Sequence, residues 1–329
     1  MIQSERNPKQ NAAYGAILGA LVGDASGAVL EFLGRQPSVS DVSAAMAMPG
    51  GGVFDVAPGQ FTDDGEMTVT LLRALATSDG SYDINLVAKA YGEWADSHPF
   101  DIGGATSHAL RYLHGPDFSG LAKERACESN AQSKANGSLM RATPLGLAGA
   151  FTSEAQTIVW AGQDCALTHP HKSCQAAVTA YSLAIRHLIV KPRDIKGALT
   201  SATRYLETQE GEVIGWIEDA VLGDLPAGEP MIGFVRIGFT HAFHHLVRET
   251  PYRMAIAQTL MLGGDTDTNA CIVGGLVGAA QGVQSIPASM LESVLQCDTK
   301  LGQPRPSIFG IQQAFDSLQT LTKKLTHEI

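Results

Sequence analysis

The chain has 329 residues, 44% of them hydrophobic, and a formal net charge of −10 at pH 7. That composition can bury a large core, and the acidity argues against nucleic acid or an anionic membrane as partner. The longest apolar run, 270–280, carries three glycines and is too short to cross a bilayer.

Residues 1–11 read as a polar N-terminal extension with no apolar leader segment, and 12–329 as one domain. Helical spacing first shows at about 12–22 and returns at about 65–77. After Asp83, the apolar positions Ile84, Val87, Ala88, Tyr91, Trp94 and Ala95 follow the i, i+3, i+4, i+7 pattern. Further helices are predicted over roughly 104–113, 154–166, 172–190, 195–206, 233–247, 253–262, 267–281 and 288–297. Ser307 is placed to cap a last helix carrying Ile308, Ile311, Phe315, Leu318 and Leu325. Period-2 alternation is nearly absent, and there is no repeat or Pro/Ser-rich linker. The expected fold is all-α, with many helices packed around a central hydrophobic one. The five cysteines make no CxxC pair, which suits reduced thiols in a cytoplasmic protein.

Two acidic clusters stand at helix starts. In Thr62-Asp63-Asp64, capping and chemistry are equally good explanations. In Asp265-Thr-Asp267-Thr268, more oxygens crowd after Gly263-Gly264 than one cap needs. A cation explains such mutually repelling acids, and all-oxygen ligands suit Mg²⁺, Mn²⁺ or Ca²⁺. An EF-hand is excluded, because its sixth loop position would be Ala270 and its twelfth Leu276. The histidines do not converge with cysteines in any zinc-like set. Taken singly, Glu31 reads as a solvated helix-end acid, Asp101 as a cap for the helix after Gly103-Gly104, and His169 as a cap for the helix that follows it. Arg141 would pair with a surface carboxylate, and Met140 would belong to the core.

Together the two clusters resemble the paired metal motif of the ADP-ribosylglycohydrolase family. Gly19-Ala-Leu-Val-Gly-Asp24-Ala-Ser-Gly27 with Glu31 resembles its opening helix and acidic gate. The segment from Asn136, Gly137 and Ser138 through Met140 and Arg141 resembles its substrate loop, and Thr168-His169 its ADP-ribose-contacting pair. Phe100-Asp101-Ile-Gly103 is similar to a segment of the arginine-directed branch, typified by the dinitrogenase reductase activating glycohydrolases. Where many members have Thr after the Asp pair, this chain has Gly65. The resemblance implies a compact orthogonal helix bundle and two Mg²⁺ (or Mn²⁺) ions on Thr62, Asp63, Asp64, Asp265, Asp267 and Thr268. Glu31, Asp101 and Asp64 would serve the chemistry, and Asn136, Gly137, Ser138, Met140, Arg141 and His169 would bind substrate. The implied reaction is hydrolysis of the bond between ADP-ribose and a protein side chain, arginine first. A serine-linked or free ADP-ribose derivative is the alternative substrate. Another alternative is an immunity factor that reverses or blocks an ADP-ribosylating toxin, with the polar N-terminal stretch reaching the partner.

Overall fold

The computed structural model describes residues 6–326. Among them are sixteen α-helices and no strand, only two isolated bridges. The first eight are α1 (Pro8–Gly27), α2 (Val39–Ala45), α3 (Asp63–Thr77), α4 (Ile84–Ala95), α5 (Gly104–Leu110), α6 (Phe118–Asn130), α7 (Thr143–Gly149) and α8 (Glu154–Ala166). The rest are α9 (Lys172–Val190), α10 (Ile195–Leu206), α11 (Val213–Leu222), α12 (Val235–Val247), α13 (Tyr252–Leu260), α14 (Thr266–Gln281), α15 (Ala288–Leu295) and α16 (Ile311–Thr322). Many begin where a side chain accepts from orphan first-turn amides: Asn7, Asp83, Asp117, Ser153, His171 and Asp194 all do this.

The central helix is α14, buried at every residue from Thr266 to Ala280. A helix that is apolar on all sides needs neighbours on all sides. Its closest neighbour is α1, which carries glycine at 15, 19, 23 and 27, one stripe along one face. A Cβ on Gly15, Gly19 or Gly23 would lie 2.1, 2.4 or 2.1 Å from the carbonyl oxygen of Gly278, Gly274 or Ala270. The pairing order shows that the helices run antiparallel with their backbones in contact. The last turn of α1 is thereby laid beside the first turn of α14, so Gly27 meets Asp267.

The C-terminal segment fastens the start of α3. Arg305 donates through Nε and Nη2 to Glu66 at 2.8 and 2.9 Å, and Trp94 Nε1 adds a bond of 2.7 Å. The pair is almost wholly buried, so each charge depends on the other.

Three sequence expectations change. The polar extension is shorter than 1–11: α1 starts at Pro8, Asn7 caps it, and Asn7 also donates to Leu325 O. Residues 1–5 lie outside the described part. Ser307 does not cap the last helix; it begins a separate 3₁₀ turn, Ser307–Phe309, and α16 follows Gly310 with no side-chain cap. Finally, α2, α6, α7 and α11 had no counterpart among the predicted helices. Among the described residues, no helix is long and apolar enough to cross a membrane.

Candidate active site

The two acidic clusters meet at the junction of α1, α3 and α14, and neither is a set of caps. Thr62 and Asp265, the residues preceding α3 and α14, make no side-chain cap bond. For α3 the capping task falls to Asp24, one turn before the end of α1. Its Oδ1 accepts from Thr62 N (2.9 Å) and Thr62 Oγ1 (2.9 Å), and its Oδ2 accepts from Gly65 N (2.6 Å). With its oxygens already occupied, Asp24 shapes the turn and leaves Thr62, Asp63 and Asp64 free for other work. Oxygens of Asp24, Asp64 and Asp267 lie within 4.8 Å of one another, as do those of Glu31, Asp265 and Asp267. The Thr62 hydroxyl is 3.2 Å from both Asp64 Oδ2 and Asp267 Oδ2, and the Thr268 hydroxyl is 3.3 Å from Asp64 Oδ2.

So many acids in one buried place resist ionisation. Burial, then repulsion by Asp101 and other carboxylates, raises Asp63 well above the usual range; burial with Asp24, Asp265 and Asp101 does the same for Asp64. Asp267 is raised likewise, by burial and then by Glu31 and Asp64. Glu31 is pushed up to about 8 by burial and the charges of Asp101 and Asp265, and Asp101 to about 6, mainly by burial. Two oxygens in the cluster, Asp64 Oδ1 and Glu31 Oε2, are enclosed with no hydrogen-bond partner among the described residues.

A cleft of about 280 Å³ opens over the cluster. Its walls include Glu31, Asp63, Asp101, Asp265 and Thr268 together with Asn136, Gly137, Met140 and His169, and among the described residues no Lys or Arg lines it. Asn136 Nδ2 donates to Asp265 Oδ2 at 2.7 Å, tying the loop to the acids. Asp101 does not cap α5, whose start at Gly103 lacks a side-chain cap. His169 caps nothing either; His171 caps α9 by accepting from Ser173 N. Two residues expected to touch substrate stand behind the loop. Arg141 is completely buried, its donors taken up by Asp164, Gly137 O and Thr168. Ser138 is equally buried and accepts from Cys165 Sγ.

The profile of the ADP-ribosylglycohydrolases matches residues 5–328. The chain belongs to that family. A relative from Rhodospirillum rubrum, ADP-ribosyl-[dinitrogen reductase] glycohydrolase, is 30% identical over 291 residues, covering 86% of this chain and 90% of the relative. ADP-ribosylarginine hydrolase Tri1 of Serratia proteamaculans is 27% identical over 310 residues, covering 86% and 75% respectively. Among solved structures, an ADP-ribosylglycohydrolase-related protein complex superposes with a TM-score of 0.73 at 24% identity, covering 96% of this chain and 98% of that one. The all-α bundle is thus the fold of this glycohydrolase family. Within it, the sequence reading singled out both acidic clusters but gave Asp24 no role. The signal was an acid inside the small-residue stripe of α1, a place where a charge needs a partner.

Proposed function

We propose that the protein is a divalent-metal-dependent hydrolase that removes ADP-ribose from arginine side chains. One observation carries the metal: buried carboxylates converge, and among the described residues two of their oxygens have no partner and no cationic side chain lines the cleft. A lone buried charge is costly and an unpaired group of them more so. An all-oxygen set fits Mg²⁺ or Mn²⁺. The residues to hold them are Thr62, Asp63, Asp64, Asp265, Asp267 and Thr268. When bound, such ions would offset the charge of the site, acidify a water and orient ribose oxygens.

The chain's own groups then divide the proton work. Glu31, which lines the cleft beside Asp63 and Asp101, is the group we assign to pass a proton to the departing nitrogen. Asp101, in contact with Asp63 and more easily ionised, can accept hydrogen bonds from a guanidinium. Asp64, at the start of α3 beside Asp63, would help to orient the attacking water. The Asn136–Gly137 loop, tied to Asp265, lines the same cleft. The relatives named for dinitrogen reductase and for ADP-ribosylarginine support the arginine linkage.

The test is side-by-side hydrolysis of ADP-ribosyl-arginine and ADP-ribosyl-serine peptides, with Mg²⁺ and with chelator. The expected outcome is metal-dependent release from arginine well above serine, with the arginine activity selectively lost in Asp101→Ala. Equal or greater activity on serine would overturn the arginine assignment.

A further inference from the structure

Behind the cleft runs a chain of buried polar groups that the reaction does not use directly. Asp164 lies at its far end, accepting from Tyr82 Oη (3.3 Å), Tyr91 Oη (2.9 Å) and Arg141 Nε (3.1 Å). Arg141 also donates through Nη1 to Gly137 O and through Nη2 to the Asp164 carbonyl, each at 3.0 Å. Nη2 donates as well to Thr168 Oγ1 at 2.9 Å. Among the described residues, Thr168 Oγ1 has one other partner, His169 Nδ1 at 2.8 Å.

A hydroxyl offers one hydrogen and two acceptor sites, and a guanidinium can only donate. Arg141 therefore fills one acceptor site of Thr168. If His169 carried hydrogen on Nδ1, it would fill the second, and the hydrogen of the fully buried Thr168 would have nowhere to go. The same objection applies to an imidazolium. Every atom is satisfied when Thr168 donates to Nδ1, which leaves the ring hydrogen on Nε2. Burial and the charge of Arg141 push the pKa of His169 down to about 3, so the ring stays neutral. Its Nε2 has no partner among the described residues, and His169 lines the cleft. Gly137 braces the ring: a Cβ there would lie 3.0 Å from His169 Cε1.

We infer that Arg141 and Thr168 are positioning residues that hold His169 as the neutral Nε2–H tautomer, a donor to an acceptor oxygen of the bound ADP-ribosyl group. The inference rests on the ADP-ribose reading above. In this state His169 cannot take a proton from water or ligate a cation through Nε2. It binds substrate and is not a base.

The tautomer is read directly from ¹⁵N NMR of histidine-labelled protein without ligand, with His169 assigned by its loss in His169→Asn. The expected result is Nε2–H in the wild type and in Thr168→Ser. The hydroxyl-free Thr168→Val is expected to populate Nδ1–H. In calorimetry, Thr168→Val should weaken ADP-ribose binding about tenfold, the loss of roughly one hydrogen bond, while Thr168→Ser stays near wild type. An Nδ1–H or doubly protonated ring in the wild type, or an unchanged tautomer in Thr168→Val, overturns the inference. Should Thr168→Val fail to fold, the wild-type and Thr168→Ser spectra still decide. A wild type with the Nε2–H ring but no affinity for ADP-ribose would overturn the ligand reading and leave the tautomer lock standing.

Discussion

Removing divalent metal should make the fold's stability fall as pH rises, and adding it back should cancel that fall. Well below the ordinary carboxylate range, the acids of the cluster are protonated both folded and unfolded, so they cost nothing. As pH rises, the unfolded chain gives up these protons first, while the native cluster holds on to them. Stability is therefore lost progressively until the native groups also ionise. Asp24 titrates at about 7 instead of 3.8, chiefly because it is buried. At ~1.4 kcal/mol per pH unit, that group alone costs about 4 kcal/mol above neutrality. With an unfolding entropy of ~2.1 cal/mol/K per residue, a chain of this length should lose about 6 °C in Tm. Glu31, displaced from 4.5 to about 8, extends the loss to the same side. The buried His169 and His245, both pushed down to about 3, act in the opposite direction at acid pH. They contribute equally with and without metal, so the informative quantity is the Tm gained on adding Mg²⁺ or Mn²⁺ to chelator-stripped protein. Differential scanning fluorimetry should show that gain growing from about pH 5 to about pH 8, since binding must displace protons from the acids. A gain that is absent, or constant across the range, would refute the argument.

Loss of a single acid at the proposed metal site should silence the enzyme without unfolding it. Asp63→Ala and Asp267→Ala should each lower turnover more than about a hundredfold, given that even partners behind a metal ligand are worth ~10–100-fold; circular dichroism checks that the helices remain. Gly23→Ala would drive a Cβ to 2.1 Å from Ala270 O, so it should cost about 1–3 kcal/mol in urea unfolding and reduce activity by parting α1 from α14. Arg305→Met strands the buried Glu66 and should cost about 3–5 kcal/mol. Adding Glu66→Gln, which keeps an acceptor for Trp94 Nε1, should recover much of that loss in the same assay.

The helices with an apolar stripe were legible because burial on one side leaves a 3.6-residue period, as in α4 and α10. Two of the missed helices lack that period. The short α7 is buried at every residue, and polar α6 buries only Ala122, Ala126 and Asn130. The acidic clusters could be read because each is local: neighbouring acids with no cation beside them are conspicuous in one dimension. What the chain order could not supply was the partners. Asp24 takes over the capping of α3 from 38 residues away, and Asp164 draws Arg141 into the interior from a distance of 23. Both depend on which helices pack together, and the contact of α1 with α14 decides the first of them. Local sequence sets the charge and the helix. Desolvation, which turns an acid into a brace and an arginine into a buried strut, exists only once the helices have closed around them.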